Sequence, residues 1–251
     1  IAYFGYMFNY FQKVSDCICV ENTLAFNYVK YFSLVFAILH SLFTTYGLVI
    51  SLTNNQTQVL YNNIMKYLII GLGNPGVEYE NTRHNIGFKM LDKLAGLSNI
   101  SFSTERLADV AQVKFKGRTL VLVKPNTFMN LSGKAVKYWM QQSKINIENI
   151  LVVTDDISLP FGIVRMRKKG SDGGHNGLKD IQNQLATSIY PRLRFGVGSD
   201  FSRGKQAEYV LDNFTDQDYI TMDDRTDLAV KMIQAFTSMG IGRTMSDFNG
   251  K

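Results

Sequence analysis

The sequence predicts an α/β fold: a single domain with a twisted mixed β-sheet flanked by helices, preceded by an N-terminal extension. After Met65, short apolar runs bounded by glycine alternate with segments of helical periodicity, which is the pattern of a sheet covered by helices. One pair of alternating segments is separated by Lys116-Gly117 and adds an antiparallel hairpin, so the sheet is mixed. The composition also changes abruptly at Met65. This change divides the chain into an extension, residues 1–64, and a domain, residues 65–251.

The first half of the domain is predicted to contain a strand, a helix and the hairpin. Lys66 to Gly71 is a short apolar run that ends in glycine, which is typical of a buried strand. Ile86 to Ala95 has apolar residues at helical spacing, and Gly96 is a common kind of helix stop. The two strands of the hairpin are Ala111 to Phe115 and Arg118 to Lys124.

The second half of the domain alternates helices and strands. In chain order the predictions are a helix over Ser132–Lys144, a strand over Ile150–Thr154, an edge strand over Gly162–Arg167, a helix over Leu178–Leu185 and a strand over Leu193–Val197. Thr215 and Asp218 have the spacing of a capping box, in front of a long amphipathic helix that ends near Gly240. In open α/β sheets, ligands and reactive groups gather at the carboxyl ends of the strands.

The net charge of the chain lies entirely in the domain. Residues 1–64 contain two lysines and two acids, which leaves 25 of the 27 basic and 19 of the 21 acidic residues for residues 65–251. A basic surplus of this kind weakly favours a polyanionic partner. Both cysteines, Cys17 and Cys19, belong to the extension, so the domain has no disulfide, which is consistent with a reducing compartment.

The extension contains one segment with the length of a membrane span. Tyr31 to Leu52 has 22 residues and no formal charge, and about 20 apolar residues cross a bilayer as a helix. Three interpretations are open: a membrane anchor, a cytosolic extension that packs elsewhere, and translation of AT-rich DNA upstream of the true start. We favour the third, in which Met65 is the initiator and the strand Lys66 to Gly71 follows it directly.

Gly71 to Gly76 fits the dinucleotide-binding pattern G-x-G-x-x-G behind a strand, but its context does not. That pattern requires its last glycine to open an apolar helix whose first turn faces the pyrophosphate. Here Pro75 and the polar run Val77 to His84 form a loop, and the helix begins only near Ile86. A dinucleotide site is therefore disfavoured.

Two residues suggest general-base chemistry. His84 lies just ahead of the first helix, and Asp155 lies at the end of the strand Ile150–Thr154. A carboxylate that accepts a hydrogen bond from one imidazole nitrogen leaves the other nitrogen as a general base. Two blander interpretations stay open, a capping histidine and a solvated turn at a strand end, because the sequence alone does not show that the side chains meet.

Three asparagines, Asn74, Asn130 and Asn176, lie in loops beside predicted strands and helices. Each also has a local explanation, turn formation for Asn74 and helix N-capping for the other two. A neutral amide offers donors and an acceptor without charge, and several together suit a peptide-like ligand and the oxyanion of an attacked carbonyl. No serine or cysteine occupies a nucleophile elbow, and no spacing of histidine, cysteine and acid suggests a metal. Water is therefore the expected nucleophile.

Four segments together resemble the bacterial-type peptidyl-tRNA hydrolase family. They are Asn74-Pro-Gly with Tyr79-x-x-Thr-Arg-His-Asn-x-Gly87, Thr127-Phe-Met-Asn-x-Ser-Gly133, Asp155-Asp with Leu-Pro160, and Gly173-Gly-His-Asn-Gly-Leu-Lys179. They occur in the family's order and spacing, over Met65 to about Asn249, and leave residues 1–64 unmatched. The resemblance implies hydrolysis of the ester between a peptide and tRNA, by a cytosolic monomer that needs no metal and no other cofactor.

The resemblance also implies roles for single residues. His84 is expected to be the general base, and Asp155 the residue that orients it. Asn74 is expected to tell an N-blocked peptidyl-tRNA from a free aminoacyl-tRNA. The further expected substrate contacts are Tyr79, Phe128, Asn130 and Asn176. Ser158 stands where many relatives carry an acid, which puts a secondary contact in doubt and leaves the chemistry intact.

A basic surface is expected to hold the body of the tRNA. Its members lie on one strand, the loop after it and a later strand: Arg165, Arg167, Lys168 and Arg194. Such a run is usually a solvated face, but a mobile loop, Lys168 to Gly174, beside Asn176 would suit phosphates. The alternative function is a non-catalytic RNA-binding relative of the same fold, which has no need of a paired His84 and Asp155.

Overall fold

The computed structural model of the protein describes Ser41 and residues 66–250. Within that part of the chain, no helix combines the length and the apolar character that a bilayer span requires. The interpretations of Met65 and, apart from Ser41, of Tyr31–Leu52 fall outside the described residues and stay predictions. All elements described below lie in the compact unit Asn62–Lys251.

A seven-stranded mixed sheet forms the centre of the described part, as the sequence predicts. The strands are β1 Lys66–Gly71, β2 Ser103–Glu105, β3 Ala108–Phe115, β4 Arg118–Pro125, β5 Ile150–Asp156, β6 Val164–Arg167 and β7 Arg192–Gly196. In space they follow the order β2-β3-β4-β1-β5-β7-β6. The pairs among β4, β1, β5 and β7 are parallel, whereas the pairs β2–β3, β3–β4 and β6–β7 are antiparallel.

Helices cover both faces of this sheet. Within residues 66–250 the α-helices are α1 Ile86–Gly96, α2 Ser132–Gln142, α3 Asn176–Leu185, α4 Gln206–Leu211 and α5 Asp216–Phe248. The core under α1 and α5 contains Ile69, and the core under α2 and α3 contains Leu68 and Ile70. Successive side chains of a strand point to opposite faces, so the continuous apolar run of β1 serves both cores.

The capping box predicted at the start of α5 is confirmed. The Thr215 hydroxyl accepts the Asp218 backbone N–H at 3.2 Å, and the Asp218 carboxylate accepts the Thr215 N–H at 2.8 Å. The prediction that this helix ends near Gly240 is confirmed, because the helical path stops at Gly240, whose φ is 79°. A second helical stretch follows directly and continues to Phe248, so α5 consists of two helices joined at a kink.

The second stretch of α5 leads to a contact with the sheet. The side-chain amide of Asn249 accepts the Met166 N–H at 2.9 Å and donates to the Met166 carbonyl at 3.0 Å. Met166 belongs to β6, the edge strand of the sheet, whose outer backbone groups have no neighbouring strand. The residues after Gly240 therefore cover the exposed edge of β6.

The remaining differences from the predicted elements are small. The predicted helices and strands exist, with ends shifted by a few residues, as is usual for element boundaries. Two short elements, β2 and α4, were not predicted. All three residues of β2 are exposed and no residue of α4 is buried, so neither leaves a periodic apolar signal in the sequence.

Candidate active site

The neighbouring strands β1 and β5 end where the winding of the sheet reverses. From β1 the chain leads through α1 towards β4, whereas from β5 it leads through α3 to β7 on the other side, and α1 and α3 cover opposite faces. Open α/β sheets bind ligands in the crevice that such a reversal leaves. Gly71, the last residue of β1, pairs with Val153, so β5 extends further and carries Asp155 to this crevice.

Two glycines bring the start of α1 against the end of β1. A Cβ atom at Gly87 would lie 2.4 Å from the backbone nitrogen of Leu72, and one at Gly71 would lie 2.4 Å from the carbonyl oxygen of Gly87. Only glycine permits an approach this close, which explains a glycine three residues after His84. The helical turn Arg83–Asn85, called the His84 turn below, therefore lies beside the crevice and buries its histidine.

His84 and Asp155 meet at this point. The Nδ1 atom of His84 lies 3.0 Å from each carboxylate oxygen of Asp155, and both side chains are buried. An ionised carboxylate only accepts hydrogen bonds, so Nδ1 carries the proton and donates it. The other ring nitrogen, Nε2, is then an acceptor, which is the form that a general base requires.

Burial and the neighbouring charges shift the pKa values of His84 and Asp155 in opposite directions. Burial alone would lower the pKa of His84, but the charge of Asp155 and its hydrogen bond outweigh burial and raise that pKa above the ordinary value. For Asp155, burial alone would raise the pKa. Its interactions with His84 and His175 outweigh burial and hold the pKa of Asp155 well below the ordinary value. Asp155 is therefore a carboxylate throughout the range in which His84 titrates.

A second histidine, to which the sequence did not point, completes the surroundings of Asp155. His175 Nε2 lies 3.0 Å from Asp155 Oδ1 and 2.8 Å from the Thr154 hydroxyl. The Nδ1 atom of the same ring accepts the backbone N–H groups of Gly177 and Leu178 at 3.1 and 3.3 Å. Because Nδ1 accepts, Nε2 must carry a proton, and His175 donates that proton towards Asp155.

Neither Asn130 nor Asn176 caps a helix, although N-capping was the local explanation considered for both. His175, not Asn176, is the N-cap of α3, and Asn176 is the exposed first residue of that helix. Asn130 does not cap α2, because the carboxylate of Asp180 accepts the Gly133 N–H at 2.7 Å. Histidine is not among the preferred N-cap residues, so a preference for capping residues gave no signal for this role.

His84, Asp155 and His175 also form the group of possible metal ligands found in the described residues, with one atom of each within 4.8 Å of the others. The polarity of their hydrogen bonds does not suit a metal. A metal-binding histidine normally donates its other N–H to an acceptor. The Nδ1 atom of His175 faces two N–H donors instead, so its Nε2 could offer a lone pair only if both bonds were lost. The arrangement fits a proton network.

Asn74 is held in one orientation by its neighbours. Asn85 Oδ1 accepts the Asn74 N–H at 2.8 Å, and Asn85 Nδ2 donates to the Asn74 carbonyl at 2.9 Å. The side-chain oxygen of Asn74 accepts the Met129 N–H at 2.8 Å, which fixes the amide. The N–H groups of the Asn74 amide form no hydrogen bond within the described residues, so they are available to a ligand as donors. Asn85, like His175, was not among the predicted site residues.

The other predicted substrate residues lie at the surface. The rings of Tyr79 and Phe128 meet edge to face, with their centroids 6.5 Å apart. Phe128 is 56% exposed, so its ring is accessible to a ligand. Asn130 and Asn176 are exposed, and each directly follows a residue of the hydrogen-bond network described above.

A row of side chains leads from this network to the predicted basic residues. Thr154 faces Arg194 across the β5–β7 pair, and Arg194 faces Arg165 across the β7–β6 pair. Residues opposite one another share a face of the sheet, here the face of α3. Two strand spacings place the backbones of Thr154 and Arg165 about 10 Å apart. We call the predicted set Arg165, Arg167, Lys168 and Arg194 the basic face.

The members of the basic face differ in their partners. Arg194 forms an ion pair with Asp156 and donates to the Ser158 hydroxyl at 3.0 Å, and Ser158 donates to Asp156 at 2.6 Å. The other members form no ion pair within the described residues: Arg165, Arg167 and Lys168. The loop that follows Lys168 is held in place by hydrogen bonds. The buried Arg192 donates to the carbonyls of Gly170 and Ser171 in this loop, at 2.5 and 2.6 Å.

Comparison with known proteins agrees with this geometry. The family model described as Peptidyl-tRNA hydrolase matches residues 68–251. The chain belongs to the peptidyl-tRNA hydrolase family. The peptidyl-tRNA hydrolase of Cytophaga hutchinsonii is 57% identical over 187 residues, which cover 74% of this chain and 100% of that protein. The one from Bacillus subtilis is 40% identical over 185 residues, 73% of this chain and 98% of that protein. A crystal structure of peptidyl-tRNA hydrolase from Acinetobacter baumannii has a TM-score of 0.70 at 30% identity, over 75% of this chain and 96% of that chain.

In this member of the peptidyl-tRNA hydrolase family, the structure joins the predicted general base to the predicted selectivity residue. His84 and Asn85 are neighbours in one turn; the first binds Asp155 and the second binds Asn74. The predicted contacts at the surface and the basic face lie outside this buried network. The roles of all these residues stay predictions.

Proposed function

We propose that the protein hydrolyses the ester bond between the peptide and the 3′-terminal ribose of peptidyl-tRNA, with a water molecule activated by His84. The observation that carries the proposal is the bond from His84 Nδ1 to the buried carboxylate of Asp155, which leaves Nε2 as an acceptor. Family membership supplies the substrate class. The products are a peptide with a free carboxyl group and a tRNA that can be used again.

The reaction proceeds in two proton transfers. His84 Nε2 takes a proton from water as the water oxygen attacks the ester carbonyl, and Asp155 stabilises the imidazolium that forms. The resulting tetrahedral oxyanion accepts hydrogen bonds from amide donors of the crevice, to which we assign Asn130 and Asn176. When the intermediate collapses, the bond to the ribose oxygen breaks and this oxygen receives the proton from His84. The base is thereby restored.

Asn74 supports discrimination between N-blocked and free substrates. The Met129 N–H fixes the side-chain oxygen, so the orientation of the amide is set and its N–H groups are available as donors. The carbonyl of an N-acyl group can accept from such a donor. A free α-ammonium is itself a donor with a positive charge, and it cannot accept from these N–H groups. Tyr79 and Phe128 are assigned to the peptide and the terminal nucleotide, whose flat groups suit exposed rings.

The remaining parts of the proposal concern the partner and the setting. The basic face would contact tRNA phosphates, which steer and position the substrate. The protein is proposed to act as a cytoplasmic monomer without a metal or other cofactor. A non-catalytic RNA-binding role is disfavoured, because binding alone gives no reason for a buried histidine and carboxylate held at 3.0 Å.

The test is hydrolysis of N-acetylaminoacyl-tRNA compared with free aminoacyl-tRNA by the full chain. We expect turnover of the first and little of the second. His84→Ala should lower kcat about 10²- to 10⁴-fold, the usual contribution of a general base, and leave tRNA binding within about threefold. Turnover of N-acetylaminoacyl-tRNA by His84→Ala at the wild-type rate would remove His84 from the mechanism. Binding without turnover in the wild-type protein would favour the RNA-binding alternative.

A further inference from the structure

Arg83, the residue directly before His84, is a buried cation outside the network described above. Its Nη1 atom donates to the carbonyl of Asp212 at 3.3 Å and to that of Tyr209 at 3.4 Å. The Tyr209 carbonyl lies in the last turn of α4, where it also accepts the Asp212 N–H at 3.3 Å, and Asp212 directly follows the helix. The guanidinium also lies over the Tyr209 ring, with Cζ 4.4 Å from the ring centroid. Arg83 therefore attaches the His84 turn to α4 in two ways.

Backbone hydrogen bonds repeat this attachment. Arg83 donates its N–H to the carbonyl of Asp212 at 3.1 Å, and Phe214 donates its N–H to the carbonyl of Asn81 at 3.2 Å. The residues between them form an isolated antiparallel bridge. The segment before the histidine thus lies along the segment that follows α4, and the line of contact ends at the His84 turn.

Tyr209 carries the attachment on to the sheet. Its hydroxyl donates to the carbonyl of Val197 at 2.7 Å, and the Val197 N–H bonds the carbonyl of Asp156 at 3.1 Å. Asp156 is the last residue of β5. A continuous line of contacts therefore runs from the end of β5 through Tyr209 to Arg83. The His84 turn is held to the carboxyl end of the sheet by this line of contacts and also by the bond between His84 and Asp155.

The surroundings of Arg83 are not optimal for stability. Its Nε atom is buried and has no hydrogen-bond partner among the described residues. Its ion-pair partner, Asp218, lies 3.7 Å away, beyond hydrogen-bond distance. A buried N–H without an acceptor destabilises the folded state, and well-packed apolar groups often replace buried ion pairs without loss. Stability alone does not explain a guanidinium at this place, whereas the position of the neighbouring histidine does.

We propose that Arg83 is a positioning residue, which clamps the His84 turn onto α4 so that the Nε2 atom of His84 keeps its place relative to the substrate. Asp155 orients the imidazole ring, and Arg83 fixes the backbone that carries the ring. The inference rests on the proposed function, because it assumes that His84 is the general base. A misplacement of about 1 Å can cost 100-fold in rate. The effect is therefore expected in kcat and not in KM.

The test uses two variants of Arg83 and a matched arginine elsewhere. Arg83→Gln removes the charge and the stacking plane, and should lower kcat for N-acetylaminoacyl-tRNA about 30- to 100-fold with KM within about threefold. Arg83→Lys keeps the charge but not the plane, and should lose about tenfold. The control is Arg118→Gln. Arg118 also donates to two carbonyls, of Lys116 at 3.0 Å and Ser238 at 3.3 Å, but at the other end of the sheet. This control should keep the wild-type kcat.

A spectroscopic readout separates positioning from a general loss of stability. The Nδ1 proton that His84 shares with Asp155 should give a low-field NMR resonance. Well below the Tm of each protein, we expect this resonance to broaden in Arg83→Gln and to stay sharp in Arg118→Gln. If Arg83→Gln fails to fold, Arg83→Lys and Tyr209→Leu, which removes the ring under the guanidinium, should show the same broadening.

Two results would overturn the proposal: an unchanged kcat in folded Arg83 variants, or an equal loss of kcat in Arg118→Gln at an equal loss of Tm. Failure of the proposed function itself has a different signature. In that case the wild-type protein would not hydrolyse N-acetylaminoacyl-tRNA at all, whereas failure of the inference leaves an active wild type beside equally active Arg83 variants.

Discussion

The histidine–aspartate cluster (His84, Asp155 and His175) and the basic face belong to one sheet but are built in opposite ways. In the cluster, Asp155 is buried and accepts from both rings at 3.0 Å. On the basic face, Arg167 and Lys168 are exposed and have no ion-pair partner within the described residues. The cluster fixes the positions of its atoms, whereas Arg167 and Lys168 provide charge without fixed geometry.

This difference suggests that the cluster serves the chemical step and that the basic face serves tRNA binding. Interactions of a buried pair are screened little by salt, and exposed charges are screened beyond about 10 Å at 0.1 M ionic strength. Changes in the cluster should therefore appear in kcat and be insensitive to salt. Changes on the basic face should appear in tRNA affinity and in its dependence on salt.

Asp155→Asn should have the largest effect of the changes compared here. Asparagine keeps the volume of the side chain but removes the charge, and its amide can present N–H groups to His84, which favours the wrong tautomer. We expect kcat to fall by roughly 10³- to 10⁴-fold, as for other bases that lose their orienting carboxylate, with tRNA affinity unchanged. Single-turnover hydrolysis and a tRNA binding assay, each at two salt concentrations, measure both quantities.

The pH dependence of the same variant sharpens the test. Only unprotonated His84 acts as a base, so the wild-type rate should rise with pH through a pKa above the ordinary value of 6.5. Without the attraction of the Asp155 charge, burial dominates and lowers the pKa of His84. The rising limb of the residual activity should then move to lower pH. A limb at the same pH in both proteins would mean that the titrating group is not His84.

His175→Ala should have the second largest effect. It removes the bond to Asp155 and the N-cap of α3 together, and we expect kcat to fall about 10- to 100-fold, in the range of outer groups that orient a reactive residue. His175→Asn separates the two roles. Asparagine is a good N-cap but too short to replace the bond to Asp155. It should recover thermal stability without recovering kcat. Recovery of both would show that His175 serves the helix alone.

The sequence predicted the fold well because the fold depends on periodic apolar patterns. The buried run of β1 and the capping box at Thr215 and Asp218 are local signals, and both are confirmed. Gly240 is a local signal of the same kind, and it ends the first stretch of α5 as predicted. The second stretch, which continues to Phe248, was not predicted. It leads to a contact between Asn249 and Met166, which are 83 residues apart in the chain, and such a contact leaves no local signal.

The site was predicted in part, for a related reason. The motifs name His84, Asp155 and Asn74, but the residues that fix them, His175 and Asn85, act through the polarity of hydrogen bonds. That polarity depends on which backbone N–H groups face each side chain, for example the two at the start of α3. Residue type and spacing do not contain this information, whereas three-dimensional placement does.

The smallest effect is expected on the basic face. Replacement of Arg165 and Arg167 together by alanine should weaken tRNA binding about tenfold near 0.1 M salt and leave kcat within about twofold. If each contacts one phosphate, the slope of log affinity against log salt should flatten by about 1.8. The matched control, Lys114→Ala with Lys116→Ala, removes two charges at the β3–β4 turn, by the amino end of β1, and should change neither quantity. An unchanged slope in the arginine double variant would show that Arg165 and Arg167 contact no phosphate. An equal change in the lysine double variant would show that these arginines attract tRNA only through the net charge of the protein.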